Sequence, residues 1–401
     1  MTSRTHRLGI WLLLPLLASG TACSGEGGGG GAGEGGDPGV VAALELDVAY
    51  PEAFSYLSGI RELPDGSLLA ADPMSLILVR VHLDTGTGDT LGRVGEGPQE
   101  YKQPDQVLPF PGDSTLLVDL GKGQLTVVDP QGTFARGIPM SHPSEDGSLS
   151  IITPRAVDRD GFLYDQAGRS RDGGPQDSAA IVRIHPATGA QDTVAWTWLP
   201  EYRRRERGEP SPILIPMDDW AVGPQGQVAV VRANGISVDW YWPDGRVVEG
   251  PDYSFEAYGV GPAEREAEME LMASSAMMTF METSSSGGTQ NMSMSRGIPA
   301  GSGGPGIDDF AWPETLPPFR QLGTLVSPRG EAWVGRMRPV DLPLRMMVFD
   351  EEGIRRGYVE LPPASRLIGF GEGAGGEELA YLVRTDELGL KWLGRYRILR
   401  R

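Results

Sequence analysis

Apolar and polar positions alternate along most of this chain in runs of four to seven residues, and the runs come in pairs. One pattern recurs six times: a Gly or Asp turn, an apolar strand, then a charged residue. It reads LPDGSLLAAD (63–72), FPGDSTLLVD (110–119), VDRDGFLYD (157–165), VGPQGQVAVVR (222–232), VSPRGEAWVGR (326–336) and GAGGEELAYLVR (373–384). A second apolar stretch follows each of the first five, as in LVRVHLDTGTGD (78–89) and IVRIHPATGAQD (181–192). Turns such as Pro-Asp-Gly and Pro-Gln-Gly suit hairpins, because Gly takes the positive φ that a side chain resists. A spacing near 47 residues holds four short antiparallel strands. No such unit buries both of its faces alone. Packed radially, each covers its neighbour and leaves only short edges. The pattern predicts an all-β, six-bladed β-propeller over 40–401. The C-terminal RYRILRR (395–401) supplies an inner strand with no fourth strand after it, and VVAALELDVAY (40–50) is a strand without a blade. Pairing the two closes the sixth blade.

The stretch GEGPQEYKQPDQV (95–107), followed by LLVD and LTVVDPQG, resembles bacterial six-bladed propellers with NHL-type repeats. That family has a Gly-x-Gly-Pro-x-Glu-aromatic stretch at one blade boundary, matched here by Gly95, Gly97, Pro98, Glu100 and Tyr101. The resemblance covers roughly 40–401. It implies the fold and says almost nothing about substrate. Read alone, the same glycines suggest a phosphate loop. Such a loop needs a strand before it and a helix after it, and Pro98 and Pro104 start no helix. The glycines are expected to turn the chain from one blade into the next.

The fourth and fifth repeat turns, at Gly226 and Gly330, lie 104 residues apart, about twice the usual interval. The excess is an insertion at about 260–318. Residues 262–283 read as a helix, with Pro262 in its first turn and acids after it. Met269, Met272, Ala276 and Phe280 then share one face. Residues 284–306 are low in complexity, and the whole is expected to act as a flap over one end of the propeller. Seven of the 14 Met lie in 269–294. Thioether clusters can take Cu(I), but soft apolar packing is the simpler expectation.

The N-terminus changes the picture of where this domain works. Arg4 and Arg7 precede an apolar run, Leu8–Ala18, too short to span a bilayer, so 1–22 is expected to be a signal peptide. Cys23 is the sole cysteine and follows Gly20-Thr21-Ala22, which resembles the bacterial lipoprotein box, with Cys23 as the lipidated residue. Cleavage after Ala22 by ordinary signal peptidase also fits the small-x-small site. Residues 23–39 form the lipidated cysteine and a Gly-rich tether whose coil reaches ~20 Å. The expected location is the bacterial cell envelope, exported and held to a membrane by a lipid anchor, as a monomer. The net charge of −19 argues against nucleic acid.

The candidate site is the charged position ending each repeated strand: Asp72, Asp119, Asp165, Arg232, Arg336 and Arg384. In a propeller these form a ring around the axis, acidic on one half and basic on the other. The arginine half can grip a carboxylate or phosphate. The plainer alternative is that each charge caps its own turn or pairs with a neighbouring blade. Enzyme signals are sparse. After the leader only His82, His142 and His185 remain, and the only Asn are Asn234 and Asn291. These numbers disfavour the three-His zinc site of NHL-type lyases and the Asn-rich calcium site of propeller lactonases, which the resemblance would otherwise imply. No Gly-x-Ser-x-Gly elbow occurs. The basic stretch YRRRERGE (202–209) reads as a solvated loop. The expected function is a binding module taking a protein, peptide or glycan at the funnel mouth, with no cofactor. The alternative is a hydrolase or lyase with Ca or Zn held in the central channel by Asp72, Asp119 and Asp165.

Overall fold

The computed structural model describes residues 38–401 apart from 144–148, 168–176, 201–207, 276–277, 287–288 and 298–305, with side chains described outside 142–150 and 273–305. The leader, Cys23, nearly all of the tether and most of the 202–209 cluster lie outside the described residues, as does the His142 side chain.

Six four-stranded antiparallel sheets make six blades, at 59–90, 104–139, 156–198, 219–248, 319–360 and 365–400. The first strands of successive blades lie side by side around the axis, Gly59–Glu62 against both Pro104–Phe110 and Ser365–Glu372. The six repeated segments are the second strand of each blade: Leu68–Asp72, Ser114–Asp119, Leu163–Gln166, Val228–Arg232, Ala332–Arg336 and Glu378–Thr385. The turn before them is the same device in several blades. Leu63 N–H donates to Ser67 O, Gly66 N–H donates to Leu63 O, and Gly66 sits at φ 79°. Gly226 and Gly330 repeat the geometry at φ 81° and 84°. A Cβ resists this conformation, which is why the repeat keeps its Gly.

The ring closes through the N-terminal strand. Ala42–Ala49 pairs antiparallel with Lys391–Arg400, from Ala42 opposite Arg400 to Ala49 opposite Gly394. The C-terminal strand is therefore the third from the axis, not an inner one, because Ser365–Glu372 and Glu378–Thr385 precede it in the sheet. Packing agrees with the circle. Six apolar clusters each fill the space between two adjacent blades. Blades 1 and 2 share Leu69, Leu78, Tyr101 and Leu117. Blades 5 and 6 share Trp333, Val348, Leu367 and Leu382, with Ala42 from the closing strand. Blades 6 and 1 share Tyr381, Leu393, Leu68 and Val81. The stabilising core is thus spread between the sheets, as period-two alternation on both faces of every blade requires.

The glycine stretch at 93–104 is the connection from blade 1 to blade 2. Arg93–Val94 pairs in parallel with Glu100–Tyr101. Gly97 N–H donates to the Glu100 carboxylate (2.6 Å), Gly95 N–H donates to Tyr101 O, and Tyr101 is buried between the blades. The two glycine amides that a phosphate would need are already bonded within the loop.

The insertion differs from its sequence reading. The helix is shorter, Pro262–Ser275. Met278–Ser286 and Thr289–Gly297 pair as an antiparallel hairpin, so Phe280 lies on a strand and not on the helix face with Met269 and Met272. The physical reason is propensity. Ser274-Ser275 and the Thr and Ser beyond Met278 favour extended chain over helix once the acid- and Ala-rich turns end.

Candidate functional site at the propeller mouth

All six predicted site positions lie on one face of the propeller, where each second strand ends and the chain enters the next blade. There they stand at, or one residue beyond, the position opposite the start of their own first strand. Gly59 faces Ala71, Pro104 faces Asp119, and Ser365 faces Arg384. Their partners reveal a common task. Asp72 accepts from Ser55 N–H (2.8 Å) on the chain entering blade 1, and from Met74 and Ser75 N–H in its own turn. Asp119 accepts from Lys102 and Gln103 N–H on the chain entering blade 2, and from Lys122 N–H at the start of the 3-10 turn Leu120–Lys122. Asp165 accepts from Thr153 N–H on the chain entering blade 3, and from Gln166 N–H. Each acid latches the incoming connection to its blade. Burial pushes the Asp119 carboxyl up against the pull of those amides, and pushes Asp165 up to about 6. The lost hydration of the enclosed charge causes both shifts.

Blades 4 and 5 perform the same latching with other polarity. In blade 4 the acid sits on the incoming chain. Asp218 accepts from Ala233 N–H (3.0 Å) and from Arg232 (2.9 Å), while Arg232 also reaches Asp239 (2.7 Å) and the Trp196 carbonyl. In blade 5 Arg336 donates to the carbonyls of Pro318 and Met337 (both 2.7 Å) and of Glu256, flanked by the Phe255 and Tyr258 rings. Burial lowers the pKa of this guanidinium. Arg384 alone of the six is exposed, with its charge in range of Asp386. The structure does not bring Asp72, Asp119 and Asp165 together. Among the described residues no three His, Cys, Asp or Glu side chains form a group able to hold a metal ion. His82 lies 3.6 Å from Asp89, and His185 packs edge-on against Phe162.

A cavity of about 450 Å³ lies between the outer strand of blade 3 and blade 4, with Arg232 in its wall. Trp196 and Trp198 line it with Arg232 and Tyr241. Its one cation is Arg232, already neutralised by Asp218 and Asp239, so the charge chemistry lies elsewhere.

The insertion is rooted beside the mouth. Val260, Leu316 and Met337 form a small core with Leu214, Tyr258 and Trp312. Arg320, on the first strand of blade 5, holds helix residue Glu268 through two contacts (2.8 and 3.2 Å). This fork pins the helix above the axial strands. From there the hairpin strand Thr289–Gly297 reaches the 3-10 turn Leu120–Lys122 of blade 2. The insertion leaves the chain between blades 4 and 5, so it spans the mouth to get there.

Two cations that the repeat did not single out lie where blades 6 and 1 meet. Arg366 is the second residue of the first strand of blade 6, and donates to the Leu57 carbonyl (3.2 Å). Lys391 opens the third strand and donates to Thr385 Oγ1 (3.1 Å). Arg366 is paired with Val383, which is paired with Leu393, so Arg366, Val383, Leu393, Thr385 and Lys391 share the sheet face toward blade 1. The alternation Lys391-Trp392-Leu393 was the available signal: it puts a rare Lys in phase with a buried Leu.

No protein-family model matches the chain, and no curated protein matches it. Among solved structures it is similar to a gluconolactonase of Xanthomonas campestris at 12% identity, covering 90% of this chain and 97% of that one with a TM-score of 0.41. It is similar to a streptogramin B lyase at 11%, 88% and 98% coverage, TM-score 0.42. It is also similar to a member of the DUF4221 family from Bacteroides vulgatus at 10%, 90% and 97% coverage, TM-score 0.43. The six sheets and the six clusters between them establish this chain as a six-bladed β-propeller.

Proposed function

We propose that this is an exported, lipid-anchored propeller of NHL-like type that binds a ligand at its mouth, beneath the insertion. The observation that carries the proposal is the path of the insertion, from Arg320 on blade 5 across to Leu120–Lys122 on blade 2. A segment of this length over an axial opening, tied at its root by a buried core and an ion pair, suits a cover for something held there. Latching by Asp72, Asp119 and Asp165 supports binding over metal-dependent hydrolysis, since their oxygens already accept backbone N–H groups. The leader at 1–22 and Cys23 before a Gly-rich tether support the envelope location. No helix among the described residues is long and apolar enough to cross a membrane.

Native mass spectrometry of protein purified without chelator, with metal analysis of the same sample, tests the function. A co-purifying small molecule or peptide, lost when residues 278–297 are replaced by a short Gly-Ser link, is the expected result. Stoichiometric Ca or Zn, lost in D72N or D119N, would instead establish the hydrolase or lyase alternative. For the anchor, incorporation of labelled palmitate should vanish in C23S. Label persisting in C23S would remove the lipoprotein assignment.

A further inference from the structure

Arg366 and Lys391 are cations near the mouth that no carboxylate holds. Arg336 also lacks one but donates to the carbonyls of Pro318, Met337 and Glu256 between two rings, and Lys122 donates to two carbonyls. Arg232 has two carboxylates, Arg320 has Glu268, and Arg155 has Asp219. Among the described residues no ion pair reaches Arg366 or Lys391. Their hydrogen bonds go to one carbonyl and one hydroxyl. Asp386 is in electrostatic range of Lys391, but its oxygens accept from Trp392 Nε1 and from the Leu388 and Leu390 N–H groups. The two cations also lie in range of each other: burial, then the Arg366 charge, lowers the Lys391 pKa. Burial lowers that of Arg366 too, although its side chain is exposed. Both are true of a group on the wall of an opening, with protein on most sides and solvent through the mouth. Tyr56, on the chain entering blade 1, completes the surroundings.

Two like charges in range of each other, with Lys391 buried, destabilise the empty fold. Among the described residues each side chain makes a single hydrogen bond within the fold. Val383 and Leu393 show that apolar residues suit this sheet face, and the other blades latch their connections without such a pair. What balances two cations is an oxyanion. A guanidinium presents a planar fork of donors and an ammonium presents a point charge, the combination that grips a carboxylate or phosphate.

We propose that Arg366 and Lys391 form an anion-binding site at the blade 6–blade 1 side of the mouth, taking the carboxylate or phosphate group of the ligand. This deepens the mouth-binding function and rests on it.

Thermal unfolding at fixed ionic strength, with citrate, inorganic phosphate or chloride added, tests the site. The variants are R366Q, K391M and R246Q, the last removing an exposed charge that stacks on Trp242 far from the site. Citrate or phosphate should raise the melting temperature of the wild type and of R246Q above the chloride control. The anion that acts identifies which oxyanion is taken. In R366Q and K391M the apparent affinity should fall at least tenfold, while ligand-free K391M melts no lower than the wild type because a repulsion is gone. A response in R366Q equal to that of the wild type overturns the site, as does a lower melting temperature of K391M with its response intact. A protein that co-purifies with a neutral ligand but responds to neither anion also overturns it, and leaves the mouth-binding function standing.

Discussion

Asp165 carries the clearest electrostatic cost among the latching acids. Burial moves its carboxyl from the ordinary 3.8 to about 6, against two backbone N–H bonds that pull the other way. At about 1.4 kcal/mol per pH unit, the charged form costs the folded state roughly 3 kcal/mol more than the neutral one. The folded pKa lies above the unfolded one. The associated stability is therefore fully present below about pH 4 and lost as pH rises through about 6. D165N does not titrate and keeps one oxygen acceptor. Urea unfolding of both proteins at pH 4, 5, 6 and 7 isolates the effect, because subtraction removes the other carboxylates. The unfolding free energy of the wild type minus that of D165N should fall by about 2.4 kcal/mol between pH 4 and pH 7. A flat difference, or one that rises with pH, would refute the assignment of burial as the dominant influence on Asp165.

Other perturbations probe the frame around the mouth, each by urea unfolding. R232M leaves Asp218 and Asp239 buried without their cation, and should cost about 3–5 kcal/mol; a loss under 1 kcal/mol would mean the pair is solvated. D119A strands the amides of Lys102, Gln103 and Lys122, and should cost roughly 3 kcal/mol or more. A42D places a carboxylate in the cluster between blades 5 and 6, and should cost roughly 3 kcal/mol or more. A mild effect of A42D would contradict closure of the ring by Ala42–Ala49. E45Q, exposed on the same strand, should change stability by less than about 0.5 kcal/mol.

The fold was legible because each blade repeats one piece of local chemistry. A Gly forced to positive φ, an apolar strand and a terminal charge are all short-range features, and six of them in order leave few architectures. The closing strand was legible for the same reason, as an apolar run with no partner nearby. The terminal charges stood out, but their task did not. Whether Asp119 faces a ligand or three amides depends on where Lys102 and Gln103 run, which is long-range information. Blade 5 shows the limit well: Arg336 latches carbonyls as Asp119 latches amides, so opposite charges fill one mechanical role. The helix end at Ser275 was misplaced because Met and Phe fit a helix face and a strand equally well. Arg366 and Lys391 escaped notice because they fall outside the repeat, and only the sheet register brings them onto one face.

A crystal structure of the protein grown or soaked with the anion that raises its melting temperature examines the mouth most directly. We expect that anion between the Arg366 guanidinium and Lys391 Nζ, under the insertion, with Asp72, Asp119 and Asp165 still holding their backbone N–H groups. A metal ion on those three carboxylates in the central channel, or an empty mouth beside an anion bound elsewhere, would contradict the account.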